Sequence, residues 1–315
     1  MGILSGLGRW LGPRSLPEAA LREAIGRAVD AVDPRLKVVS DYERRLAPAV
    51  SHALGYCEMV ADEIPGPVDV GPRSFATDPL VHALFAAPGD IADMLGRSRE
   101  VREFFAQPGN FGLDEFFGLL GMRRREKTVT GMALSGEVVQ HGVAQRLLYF
   151  ADHTLGELGA DHGITRQRLR AAAFDGLAQG FAACVAELRQ EHQEARSAWQ
   201  SERGGRGHAG RRQLLEERQR QAVASLAPER LLDAYAEWLE AAESRLYLKP
   251  AEARVDRMGV LARPTETGED FRTLKFPELI GRDRRDWTVL IARISRDDAR
   301  EALDRQQQAN RYLII

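Results

Sequence analysis

A long helical hairpin is written into residues 164 to 246, and it limits what the rest of the chain can build. Phe174, Leu177, Phe181, Cys184, Leu188, Glu191, Ala195 and Ala198 recur at alternating steps of three and four. This is the a/d spacing of a two-helix seam, interrupted once by charge at Glu191. The pattern stops at Gly204-Gly205-Arg206-Gly207, which does not readily continue a helix. A second helical stretch is predicted from about Gly210 to Leu246. Each helix of the arm has room for about 36 to 40 residues and a reach of roughly 55 Å at 1.5 Å per residue. Arg, Glu and Gln crowd its far half while the apolar seam thins, which predicts a solvated tip. Pro228 interrupts the return helix and starts a fresh one over Leu231, Leu232, Tyr235, Trp238, Leu239 and Leu246, apolar enough to pack on the body.

An arm this long and polar is suited to reaching or holding something. The expectation is self-association or partner binding, with Phe174, Leu177, Phe181 and Leu188 on the seam and Arg206, Arg211 and Arg212 at the tip. The competing structural reading is an intramolecular hairpin packed on the N-terminal helices.

The segments that flank the arm change period. Lys127 to Leu134 and Glu137 to Phe150 read as strands joined at Ser135-Gly136, with Gly142 marking a bulge. Arg254 to Ala262, Phe271 to Ile280 and Trp287 to Ile294 read as three more. Lone hairpins are marginal in water, so the economical solution is one antiparallel sheet with the arm inserted between its halves.

The N-terminal region reads as helical. Ser15-Leu16-Pro17-Glu18 is a capping box that starts a helix with a stripe of Leu21, Ile25, Ala28, Val29 and Val32. Asp33 caps a second helix running to about Ile64, which Pro48 should kink or split. Pro65-Gly66-Pro67 through Gly71-Pro72 reads as a stiff, exposed connector. Helices follow after Asp78-Pro79, over Ile91 to Phe105, and over Leu113 to Leu120 with Phe116 and Phe117 on one side. Residues 152 to 163 read as a loop, and Asp297 to about Arg311 as a final helix.

Composition bounds the function classes. The 315 residues are 44% hydrophobic and only 7% aromatic, so the helices are filled with Leu and Ala. The net charge of -2 gives no whole-chain argument for nucleic acid. Abundant Arg and Ala with little Lys suggest a GC-rich bacterial genome. The two cysteines, Cys57 and Cys184, read as thiols on apolar helix faces in a reducing cytoplasm. No apolar run reaches the length of a membrane span. In the first twelve residues, Ile3, Leu4, Leu7, Trp10 and Leu11 share one helical face, a pattern that fits an interfacial membrane anchor or a helix folded on the protein's own surface. The expected location is the cytoplasm, with peripheral contact at the inner membrane through this segment.

Motifs that carry chemistry are sparse. Gly205-x-Gly207-x-x-Gly210 has the letters of a dinucleotide fingerprint but no strand before it, and it reads as the arm's turn. His141, His153 and His162 lie close in sequence, with Asp152 and Asp161 just before two of them. Imidazole beside carboxylate suits a divalent metal or acid/base chemistry. The structural alternative makes Asp161 a helix N-cap and His153 a half-buried hydrogen-bonding residue. Basic residues cluster at Arg123-Arg124-Arg125 with Lys127, and again at Arg203, Arg206, Arg211 and Arg212. No aromatic residues interleave with the arm tip, so base stacking is not indicated there.

The chain is thus expected to be a mainly helical α+β protein. Its parts are an amphipathic segment (1–12), a helical region (15–120), a small antiparallel sheet (127–150 and 254–294), the coiled-coil-like arm (164–246), and a C-terminal helix and tail (295–315). The leading functional expectation is a non-enzymatic interaction or scaffold protein, with no cofactor, no metal and no identified small-molecule substrate. The alternatives are an enzyme using Asp152, His153, Asp161 and His162, and an anion or nucleic-acid binder using the arm tip.

Overall fold

The computed structural model describes residues 17–135, 138–203, 213–214, 216–217, 220, 223–263, 271–281 and 285–312. The helices are α1 (Glu18–Val32), α2 (Tyr42–Glu63), α3 (Pro72–Thr77), α4 (Pro79–Leu84), α5 (Pro88–Arg97), α6 (Arg99–Ala106), α7 (His162–Arg203), α8 (Pro228–Glu240) and α9 (Arg296–Tyr312). The strands are β1 (Val68–Asp69), β2 (Glu115–Ser135), β3 (Val138–Gly159), β4 (Tyr247–Val255), β5 (Arg272–Ile280) and β6 (Asp286–Ser295). The protein is α+β, as expected, and its chain forms two compact units: Met1–Met59 with Ala171–Leu246, and Val60–Arg170 with Tyr247–Ile315.

The first unit is helical. Ile25, Ala28 and Val29 of α1, Leu46, Val50 and Ala53 of α2, Phe174, Leu177 and Phe181 of α7, and Leu231, Leu232 and Tyr235 of α8 close one apolar core. Their spacing puts each set on one helical face, and burying that face is what stabilises helices this polar. Asp33 is an N-cap, as expected, accepting Arg35 N–H at 3.0 Å, but the element it starts is a 3-10 turn over Pro34–Val38. Asp41, at φ 56°, then turns the chain into α2. The expected single helix from Asp33 to Ile64 is therefore two elements. Their break falls before α2, not at Pro48, which lies inside that helix. Leu46, Ala49 and Val50 are buried around the proline, and that packing offsets the lost backbone bond.

The second unit is built on one six-stranded sheet in the order β3-β2-β6-β5-β4, with β1 parallel to β6 and the other pairs antiparallel. Its strands come from both sides of residues 160–246 in sequence. Pro250 faces Pro277 across β4 and β5. Neither has an N–H to give, so the pair occupies a register position that exchanges no ladder bonds.

The sheet is strongly curled. Three strand spacings separate β3 from β5, about 14 Å in a flat sheet. Yet the rings of Phe150 and Phe276 lie 5.5 Å apart. The chain after β4 folds back at Gly259 and ties the two edges together. Leu148 N–H donates to Gly259 O and Leu261 N–H to Arg146 O, both at 2.8 Å, while Ala262 N–H bonds Arg254 O at 2.9 Å. The inner face holds Phe116, Leu120, Met122, Leu274 and Leu290 against helices α4–α6 and α9. The outer face holds Phe117, Val289 and Ile291 against Ala61, Ile64 and Leu169. Buried Glu278 lies 2.8 Å from Arg124 Nε, an ion pair without hydrogen-bond alignment, and faces buried Thr288 across β5 and β6.

Several local expectations are corrected. The helix expected over Leu113 to Leu120 is the start of β2, with Phe116 and Phe117 on opposite faces of the sheet. The loop expected over 152–163 is mostly strand, since β3 continues to Gly159. The strand expected over Arg254 to Ala262 is the end of β4 plus its return, joined by a Val255–Leu261 bridge. The connector after Pro65 is tied into the sheet through β1, with Ile291 N–H donating to Pro65 O at 2.8 Å. The helix expected over Ile91 to Phe105 is α5 and α6, separated at Ser98, whose hydroxyl caps α6. Gly142 does mark a bulge: it has φ 76° and falls between residues paired with Gly131 and Met132. Ser15, Gly136 and the tail residues 313–315 lie outside the described residues.

Candidate interaction surface

Helix α7 begins in the second unit. Asp161 caps it by accepting Ile164 N–H at 2.8 Å, and Arg166 Nη2 donates to Ile64 O at 3.0 Å. Within the first unit, Phe174, Leu177, Ala178, Phe181 and Val185 are buried in its core. The Phe181 and Tyr235 rings stack at 4.9 Å. Trp238 Nε1 donates to Leu177 O at 3.0 Å, and the Arg245 guanidinium sits 4.1 Å above the Trp238 ring. Phe174, Leu177 and Phe181, expected as partner-facing residues, are therefore occupied internally. The residue that alternates with them correctly is Val185, since Cys184 is only half-buried.

One more tie follows. The Arg189 guanidinium and Arg35 both bond the buried carboxylate of Asp33. Burial alone would raise the Asp33 pKa, but the hydrogen bonds from Arg35 and the charge of Arg189 outweigh it and hold the carboxyl below its usual range. Sequence reasoning gave Asp33 a capping role only. Its pairing with a residue so distant in the chain leaves no local signal.

Beyond Arg189, α7 continues to Arg203 with no buried residue among those described. Leu188 is 36% exposed, and on the return stretch Leu214 and Val223 are 55% and 53% exposed. The side chains around them are largely charged or amide-bearing, including Glu191, Glu194 and Arg196, with Gln190 Nε2 bonded to Glu194 at 3.0 Å. Arg206, Arg211, Arg212 and the expected turn at Gly204–Gly207 lie outside the described residues, as do Ile3, Leu4, Leu7, Trp10 and Leu11. No helix among the described residues is long and apolar enough to cross a membrane.

The histidines do not converge. His153 is tucked under α4, its Nε2 2.8 Å from Leu84 O and its ring stacked 4.5 Å from Phe85, on the inner side of the sheet. His162 lies 6.2 Å from the Phe117 ring on the outer side, and its Nε2 accepts from Arg166 Nε at 3.0 Å. Burial lowers the pKa of both, helped at His162 by the Arg166 charge, so both favour the neutral imidazole. Asp152 occupies the strand bulge at φ 57° and lies 3.6 Å from Arg125. Among the described residues no group of three or more His, Cys, Asp or Glu side chains is placed to hold a metal ion. Three residues of the basic run on β2 are engaged: Arg124 with Glu278, Arg125 with Asp152, and Lys127 5.4 Å from the centre of the Tyr149 ring.

No protein-family model matches this sequence, and no curated protein or solved structure matches it.

Proposed function

We propose that this chain is a non-enzymatic interaction protein that self-associates through the outer part of α7 and the stretch returning from it. The observation that carries this reading is the continuation of α7 from Val185, the last buried residue among those described, to Arg203, with Leu188 exposed along the way. Helices in proteins draw most of their stability from tertiary packing of an apolar face, and a thin polar seam adds little. Exposed Leu214 and Val223 on the return stretch supply apolar positions of the kind a second copy would cover. The inner half of the helix then serves as a rigid mount, fixed by the aromatic core and by Asp33 with Arg189.

Light scattering across a concentration series tests this. Wild type is expected as a dimer or larger assembly. Replacing residues 190–222 with a short Gly/Ser linker, or combining Leu188→Glu with Leu214→Glu, is expected to give a folded monomer. A wild-type monomer at every concentration, or an assembly unchanged in both variants, overturns the proposal.

A further inference from the structure

The curl of the sheet leaves a cleft of about 470 Å³ in the second unit, between α3–α4 and the rim where β3 meets the return after β4. This is within the size range of small-molecule sites. Its floor is apolar, with Phe85, Leu148, Phe150, Val255 and Leu274 all buried. Met258, on the rim, is a large apolar side chain left 80% exposed.

The charged groups of the rim differ in how their hydrogen bonds are met. The Asp78 carboxylate accepts Leu80 N–H at 2.7 Å, and one oxygen of Asp256 accepts Met258 and Val260 N–H at 2.8 Å each. Both acids hold turns in place. Arg257 and Arg272 are exposed and make no hydrogen bond or ion pair among the described residues. Two guanidinium groups at the edge of an apolar trough can fork onto a carboxylate while the trough covers what the carboxylate is attached to. Among the described lining residues the two aspartates match the two arginines in charge, which disfavours a multiply charged ligand such as a polyphosphate.

We propose that this cleft binds a small amphiphilic monoanion. Arg257 and Arg272 hold its carboxylate, and Phe85, Phe150 and Leu274 take its apolar body. The inference is independent of the arm, because every residue it uses lies in the second unit.

The test is isothermal titration of the full-length protein with decanoate, and with decanamide as its uncharged counterpart. Saturable decanoate binding is expected, with decanamide at least tenfold weaker. Arg257→Ala combined with Arg272→Ala should weaken decanoate at least tenfold and remove the preference for it. Both arginines are exposed, so folding is not at stake. Ala86→Trp, an exposed position that lines the cleft, should obstruct both ligands. The proposal is overturned by absent saturable binding, by an isotherm unchanged in the arginine variant, or by one unchanged in Ala86→Trp.

Discussion

His153 has contacts in the fold that its sequence neighbourhood does not announce. The bulge at Asp152 shifts the β3 register, so Gly121 pairs with Thr154 while Arg123 pairs with Ala151. The imidazole then meets the Leu84 carbonyl at 2.8 Å and the face of Phe85. With the carbonyl as acceptor, Nε2 carries the proton and donates it. Burial pushes the pKa below the ordinary histidine value, against the opposing pull of the Leu84 bond and of Asp90 and Asp152. Because the folded state takes up the proton less readily than the unfolded chain, the stabilisation is complete above the ordinary pKa. It is lost as pH falls through the lowered one. A proton-NMR titration should therefore place the His153 midpoint below that of an unstructured histidine, and the melting temperature should fall as the solution is acidified through that range. A midpoint at or above the ordinary value would contradict this account. Cys57 is a companion case: burial pushes its thiol up to about 12, so it is an inert core residue.

At the scale of elements, α5 and α9 cross at Gly96. A Cβ there would sit 2.6 Å from Ala302 O, a backbone atom that cannot move aside cheaply. Gly96→Ala should destabilise by about 1–3 kcal/mol through overpacking, exceeding the ~1 kcal/mol that alanine gains as a helix former. Gly89→Ala in the same helix meets nothing within 4 Å and should be neutral or slightly stabilising. Paired thermal melts check both, and equal effects would remove the crossing as the cause. Elements of this kind were unevenly legible. The a/d steps from Phe174 to Phe181 announce a buried helical face, and the sheet shared by segments before residue 160 and after residue 246 followed from strand patterning on both sides. Phe116 and Phe117 misled because β2 is buried on both faces there, so it shows no alternation and two adjacent aromatics resemble a helix stripe. The curl was invisible, since it depends on where segments 256–262 and 146–148 meet. The cleft and its two arginines were invisible for the same reason. Asp161 caps α7 and His153 makes a hydrogen-bond contact, as the competing structural reading has them.

For the molecule as a whole, the question is whether its two units hold together through one core or two. The helical core around Tyr235 shares no residue with the two cores that flank the sheet. Helices α2 and α7 each contribute residues to both units. Stability carried by separate cores should respond locally to a cavity. Leu232 is 1% exposed at the centre of the helical core. Leu232→Ala removes buried volume at a cost of about 2–5 kcal/mol. Native-state hydrogen exchange should then show amides of α1 and α8 losing roughly 30-fold or more of their protection, each tenfold corresponding to about 1.4 kcal/mol. Amides of β6 from Val289 to Ile294, paired with β2 in the other unit, should keep theirs. A matching loss in β6 would mean that the continuous helices couple the units into one cooperative fold. Retention in β6 would mean that the helical unit can loosen on its own while the curled sheet and its cleft stay closed.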